Sequence, residues 1–350
     1  MKTFEKYLAV WVALCMGIGI LLSQTIPGLG ETIDSWQIRG ISIPIGICLF
    51  LMMYPAMLNL QMSEIKRLRD NPKPILLSLF SNWVVAPLVT VILANLFLKG
   101  NEQLMVAAIL LGSSPCTAMV LVWGKLAKGN QEQNVINTSL NTITILFLYV
   151  PVVSVLTGIQ GIPIDRGLLL ISTLIFIGLP LVLGIITKQT LTKMKGERWF
   201  EHTYHPWVEK IATGALLMTL VILFSLNGEV LLGNFDALLR ISVPLLLGFV
   251  IVVGYNLLIT RVFNLSYREA ITTVIIGSSS HFEIAIATAV ALYGVGSMAA
   301  LGTTMGLFWE VPIMLGLVYL GKALGKRGFW GIAALPDQLA PESVRVPVED

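Results

Sequence analysis

The sequence predicts an all-α integral membrane protein with ten transmembrane helices in two five-helix repeats of opposite topology. Three observations carry that prediction. The 350 residues are 55% hydrophobic and only 12% charged, with a mean hydropathy of +0.82. A soluble domain carries roughly 25% charged residues, so most of this surface cannot face water. Ten apolar stretches each approach the roughly 20 residues that a helix needs to cross a hydrocarbon core. Two of them, one in each half, contain a polar interruption: Gly112-Ser113-Ser114-Pro115-Cys116-Thr117 and Gly277-Ser278-Ser279-Ser280-His281-Phe282-Glu283.

The spans fall at roughly 8–26, 41–60, 75–97, 103–124, 138–157, 167–187, 208–227, 239–261, 269–292 and 298–321. The first five form a repeat over about 8–157 and the second five a repeat over 167–321, joined near Gly158–Arg166. Five spans is an odd number, so the second repeat enters the membrane inverted relative to the first. Residues 1–330 are thus expected to form a single transmembrane domain. The polar, proline-containing residues 331–350 read as a C-terminal tail.

The basic residues orient this arrangement. On these spans, nineteen of the 23 Lys and Arg residues lie on one side, and only Arg39, Lys99, Arg166 and Arg240 on the other. Lys and Arg favour cytoplasmic loops, so both termini are expected in the cytoplasm of a multi-pass cell-membrane protein. Met1-Lys2-Thr3-Phe4-Glu5-Lys6 leads into an apolar run with no small-residue cleavage site, so no cleavable signal peptide is expected.

Several function classes drop out. The small net charge of +3 gives no nucleic-acid signal. No Gly-x-x-x-x-Gly-Lys-Ser/Thr loop is present to harness ATP, and no cofactor is expected. Cys15, Cys48 and Cys116 are an odd number within apolar segments, which is no disulfide framework. A helix broken in the bilayer is tolerated only where its freed backbone groups line protein or water. Breaks at corresponding places in two halves mark the binding site of a secondary carrier.

Few ionisable groups lie at membrane depth: Glu283, Glu310, His281 and the thiol of Cys116. A charge there is costly, so Glu283, beside a break, reads as functional. Glu310 has two readings, because Pro312 kinks its span and gives a structural reason for a polar neighbour. His281 either shuttles protons and helps hold substrate, or is a satisfied polar group at the break. Cys116 also stays open. Buried cysteines are mostly small inert hydrophobes, the reading that suits Cys15 and Cys48. If a half-helix restarts from residue 116, however, its dipole favours a thiolate, a soft ligand for soft metals and, by the same logic, trivalent arsenic or antimony. Asn82, Asn141, Asn227 and Asn256 have two readings: they satisfy broken-helix backbone or line a path, or they serve interhelical hydrogen bonding, the commoner role of single residues.

Pro115-Cys116-Thr117-Ala118-Met119-Val120, followed by Val122-Trp123, resembles the fourth-helix motif of the arsenite efflux permeases. These belong to the bile acid/arsenite/riboflavin transporter superfamily. Met52-Met53-Tyr54-Pro55, Asn82-Trp83-Val84 and Phe224-Ser225-Leu226-Asn227-Gly228-Glu229 are similar to that family's second, third and seventh helices. Phe282-Glu283-Ile284-Ala285-Ile286-Ala287 and Glu310-Val311-Pro312 are similar to its ninth and tenth. The resemblance implies ten helices in two inverted repeats, with the broken fourth and ninth crossing. It implies export of arsenite, and in some members antimonite, driven by proton entry.

By motif, Cys116 then coordinates arsenic(III) as substrate, assisted by Ser113, Ser114, Thr117, Ser280 and His281. Glu283 carries the coupling proton, with Glu310 as a second candidate. Ser280 and His281 stand where the family has asparagines, so pH dependence and substrate preference are expected to differ. Two rivals share these residues. A sodium-coupled organic-anion importer of the same fold would use Glu283, Ser278 and Asn141 and has no need of a thiol. An intramembrane enzyme would use Cys116 as nucleophile and His281 as base, but shows no third, orienting residue.

Overall fold

The computed structural model describes residues 8–26, 35–38, 41–58, 71–233 and 235–331. Helices lie at all ten expected stretches. They are α1 (Leu8–Thr25), α2 (Ile43–Leu58), α3 (Pro72–Phe97), α4 (Glu102–Gly112), α5 (Met119–Leu126), α6 (Gln131–Ile159), α7 (Arg166–Lys195), α8 (His205–Gly233), α9 (Phe235–Val262), α10 (Tyr267–Gly277), α11 (Phe282–Tyr293) and α12 (Met298–Lys326). A two-residue antiparallel ladder, Gln37–Ile38 with Ile41–Ser42, leads into α2. Among the described residues, six helices are long and apolar enough to cross a membrane: Pro72–Phe97, Gln131–Ile159, Arg166–Lys195, Glu197–Leu226, Leu238–Val262 and Met298–Lys326. The tail expected from 331 lies outside the described residues except for Gly331, as do Lys2, Lys6, Arg39, Lys66, Arg67, Arg69 and Arg345.

Apolar side chains such as Leu88, Leu96, Val250 and Leu258 point outward. In lipid that exposure carries no penalty, because the surrounding chains are as apolar as leucine. The polar residues instead go inward: Asn134, Asn137, Asn141 and Asn256 are fully buried.

Helix ends follow local sequence. Asn101, Asn130 and Ser297 each accept a backbone N–H of the first turn, from Leu104, Gln133 and Ala300 at 3.1 Å. Asp165 does the same for Gly167 and Leu168. Each cap satisfies an otherwise orphaned donor.

Among the described residues, three π-helical turns, Ser81–Val85, Leu174–Gly178 and Phe200–Tyr204, interrupt or precede these helices. In every case a proline follows two residues later: Pro87, Pro180 and Pro206. Proline lacks an N–H and its ring crowds the carbonyl four residues back. A widened turn accommodates both defects without ending the helix.

The helices pack as two groups. In one, α8 lies against α1 and α2, and α7 against α2; in the other, α3, α4, α6, α9, α10, α11 and α12 pack around the breaks with α5. Gly19 allows the tightest approach of α1 to α8. A Cβ there would come within 2.6 Å of Phe224 Cβ and 2.8 Å of the Val221 carbonyl. Small residues at such contacts are how helices associate where no hydrophobic effect drives them together.

Candidate functional site

Both interruptions are real breaks. α4 ends at Gly112, and the Ser113 and Ser114 amides still reach back to Ile109 and Leu111. Pro115 then has no N–H with which to continue. α10 starts on Ser266, whose amide and hydroxyl both donate to Glu269 (3.0 and 2.7 Å), and ends at Gly277.

The two breaks bind each other. Pro115 and Ser280 form an antiparallel bridge. The Cys116 amide donates to the Ser279 carbonyl at 3.3 Å, and the His281 amide donates to the Ser114 carbonyl at 2.6 Å. Backbone groups that cannot meet water are thereby satisfied within the protein.

Neighbouring helices complete the accounting. Asn141 on α6 donates to the Cys116 carbonyl at 2.9 Å and accepts from Asn82 at 3.3 Å. Ser81 donates to the Gly277 carbonyl at 2.9 Å, and Asn256 on α9 donates to both Ser81 and Ser278. Ser81 and Asn82 both sit in the π turn of α3. The proline that forces that turn therefore helps aim one residue toward each break.

Glu310 on α12 organises the second break. Its carboxylate accepts from the Ser279 hydroxyl at 2.5 Å, the Ser280 amide at 3.0 Å and the Ser280 hydroxyl at 2.5 Å. Leucine at position 310 would leave three donors without an acceptor, each costing about 1–3 kcal/mol where buried. Glu310→Leu is therefore expected to lower stability by at least about 3 kcal/mol. Glu310→Gln, which retains one acceptor, should fall between. Thermal unfolding of the purified protein in detergent, followed by monodispersity, checks that order.

His281 joins the two breaks through its ring. Nδ1 lies 2.7 Å from Glu283 Oε2, and Nε2 lies 2.9 Å from Thr117 Oγ1. Histidine is the N-cap of α11 rather than part of it, with φ −99° and ψ 76°. For that reason a residue two positions from Glu283, which would face elsewhere on a helix, can meet it directly. The pair is buried, with His281 at 1% and Glu283 at 7% exposure.

Cys116 is buried at the centre of this junction, 2% exposed. Ser279 faces its thiol, and Glu310 and Glu283 are close enough for their charges to act on it. One expectation needs correction. α5 restarts at Met119 with Ala118 as its N-cap, not at residue 116. Residues 115–116 are held in the bridge, so Cys116 stands outside the first turn, where the helix dipole is felt.

The structure thus gathers Ser114, Cys116, Thr117, Ser280, His281, Glu283 and Glu310 at one junction. Ser113 is adjacent and fully buried, and its hydroxyl has no hydrogen-bond partner. Ser279, Ser81 and the Asn82–Asn141 chain complete the junction; of these the sequence names only Asn141 as a site residue, for the sodium-coupled rival. The signal for Ser279 is its place in the Gly-Ser-Ser-Ser string; for Asn82 and Ser81 it is the proline that follows. A narrow cleft, partly open to the surroundings, reaches the junction between α3 and α9. Asn82, Ser114, Pro115, Ser278, Ser279 and Ser280 line it, whereas Cys116, Thr117, His281 and Glu283 do not.

With the paired breaks established, comparison with known proteins is direct. Residues 46–234, more than half of the chain, match the model described as the Sodium Bile acid symporter family. The chain belongs to this family. Its relatives agree with the resemblance read from the Pro-Cys-Thr string. An uncharacterized transporter of Synechocystis is 40% identical, covering 94% of this chain and 90% of that protein. The arsenical-resistance protein Acr3 of Alkaliphilus metalliredigens is 35% identical, covering 91% and 92%. The Acr3 protein of Corynebacterium glutamicum is 30% identical, covering 95% and 92%. Membership of the sodium bile acid symporter family makes the chain a multi-pass membrane transporter. The ring of His281 is engaged by Thr117 and Glu283, so neither nitrogen is directed at the Cys116 thiol as a nucleophile's base would be.

Proposed function

We propose that this transporter exports arsenite from the cytoplasm in exchange for protons, with antimonite as a second substrate. The observation that carries the reading is the similarity to two arsenical-resistance proteins along nearly the whole chain. In this proposal residues 1–330 form one transport domain of ten spans in two inverted repeats, both termini are cytoplasmic, and 331–350 is a tail. The broken α4–α5 and α10–α11 are the two crossing spans.

Arsenite at neutral pH is an uncharged trihydroxide. Cys116 captures it by displacing one hydroxyl as water, forming an arsenic–sulfur bond suited to a soft ligand. Ser113, Ser114, Thr117, Ser280 and His281 hold the remaining hydroxyls. Protonation of Glu283 from outside favours the outward-releasing conformation, and its deprotonation toward the cytoplasm resets the carrier. Glu310 steadies the second break and is the second candidate for the proton. Such coupling requires the two conformations to bind the proton unequally, since a ligand shifts only an equilibrium it binds unequally.

The test is arsenite accumulation in inside-out vesicles from cells lacking their own arsenic exporters, under an inward-acidic gradient. Gradient-driven accumulation supports the proposal. Its absence from folded protein, with organic-anion uptake driven by sodium instead, replaces it with the sodium-coupled reading.

A further inference from the structure

We infer that His281 and Glu283 hold the exchanged proton as one unit, and that binding it reverses the hydrogen bond to Thr117 on the other break. The inference rests on the proposal of proton-driven export and deepens it. His281 thereby becomes a coupling residue, and Thr117 a positioning residue that reports proton binding to the segment carrying Cys116.

Counting protons fixes the direction of each bond. Before uptake, the pair holds one proton. Glu283 Oε2 and His281 Nδ1 are 2.7 Å apart, so that proton must lie between them; two facing lone pairs would repel. With Nδ1 so occupied, a neutral imidazole has a bare Nε2, which accepts from the Thr117 hydroxyl at 2.9 Å. After uptake the pair holds two protons. Either the imidazole is doubly protonated beside a carboxylate, or a neutral carboxylic acid donates to Nδ1. In both arrangements the second proton is on Nε2. The Thr117 oxygen must then accept, and its own hydrogen turns away from the ring to a new acceptor. A carboxylic acid protonated on Oε1 would instead keep Nδ1–H on Oε2 and leave Nε2 bare; the inferred reversal places the second proton on Nε2 and not there.

The setting makes this reversal consequential. Thr117 is 2% exposed and adjoins Cys116, and the His281 amide is bonded to the first break through Ser114. A proton arriving at the second break therefore changes the hydrogen-bonding demand beside the substrate thiol without any backbone bond being broken. The other titratable groups acting on the pair or its surroundings are few. α12 contributes Glu310, and the first break contributes Cys116. Glu102 of α4 acts at the opposite end of α11, on Tyr293. α2 has no charged side chain, and the charged residue in the first turns of α7, Arg166, is exposed.

The experiment combines ring-nitrogen magnetic resonance with transport. The chain has three histidines, so isotope-labelled His281 is assigned by its loss in His281→Asn. In wild-type protein in lipid, Nε2 should be unprotonated at alkaline pH and protonated at acid pH, while Nδ1 stays hydrogen-bonded throughout. In Thr117→Val, proton-driven arsenite accumulation should fall about tenfold, the effect of losing roughly one hydrogen bond. Whatever transport remains should no longer follow the His281 titration, and Thr117→Ser should restore both. A merely structural role for Thr117 would lower transport without separating its pH profile from that titration. Nε2 protonated at every pH or at none, or Thr117→Val transport still following the titration, would overturn the inference. The spectra need no substrate, so they decide on the reversal even where arsenite export fails.

Discussion

Replacing Cys116 with serine should reduce arsenite accumulation in inside-out vesicles to the level of vesicles without the protein, at least about a hundredfold below wild type. The substitution exchanges one atom for a smaller one at a buried position. The local fold should survive it, because the bonds that hold residue 116 are made by its amide, to Ser279, and its carbonyl, to Asn141. What is lost is the soft ligand. Exchanging an arsenic hydroxyl for a serine hydroxyl makes an arsenic–oxygen bond like the one it breaks, so substrate gains nothing by entering the junction. Expression and an unchanged gel-filtration profile should accompany the loss. Arsenite export near the wild-type rate would rule out a thiol site.

Glu283→Gln should abolish the response to the proton gradient. The ratio of arsenite accumulation with and without an inward-acidic gradient should fall to about one, because an amide cannot take up the coupling proton. The same change lets either an amide oxygen or an amide NH2 face Nδ1, so the ring is no longer fixed with its proton on Nδ1. Two effects thus converge on one variant: loss of the carrier of charge, and loss of order in the ring that faces Thr117. Vesicle transport at a series of imposed gradients measures the first. A persistent gradient response would move the coupling role to Glu310, which the Ser279 and Ser280 donors hold beside the same break.

Much of this arrangement was legible in composition. Polar residues inside apolar stretches cost too much to be incidental, so Gly112–Thr117 and Gly277–Glu283 marked themselves as breaks before any coordinates were considered. What sequence could not provide was register. The bridge between Pro115 and Ser280 spans 165 residues of chain, and no local pattern pairs those two positions. The restart of α5 at Met119 follows from that bridge, and the correction at Cys116 follows with it. His281 and Glu283 looked unrelated because a two-residue spacing separates side chains on a helix. They touch because His281 is the residue before the helix. Asn141 carried a broken-helix reading beside the interhelical one, and only the fold shows that the group it holds is the Cys116 carbonyl.

The mutual bridge also bears on how the protein is made. Ser114 and Cys116 are synthesised well before their partners, with 164 residues separating Thr117 from His281. At roughly 5–20 residues per second, that interval is about 10–30 s. During it, the first half has entered the bilayer with its broken segment lacking the strand that completes it. Unmet backbone groups are costly in hydrocarbon, so this segment must stay near water or near the insertion machinery until the second half arrives. The junction of the two breaks is therefore among the last parts of the molecule to close, and a ribosome that stops short of Ser279 leaves behind a membrane-inserted chain with an open seam, a natural substrate for quality-control proteolysis.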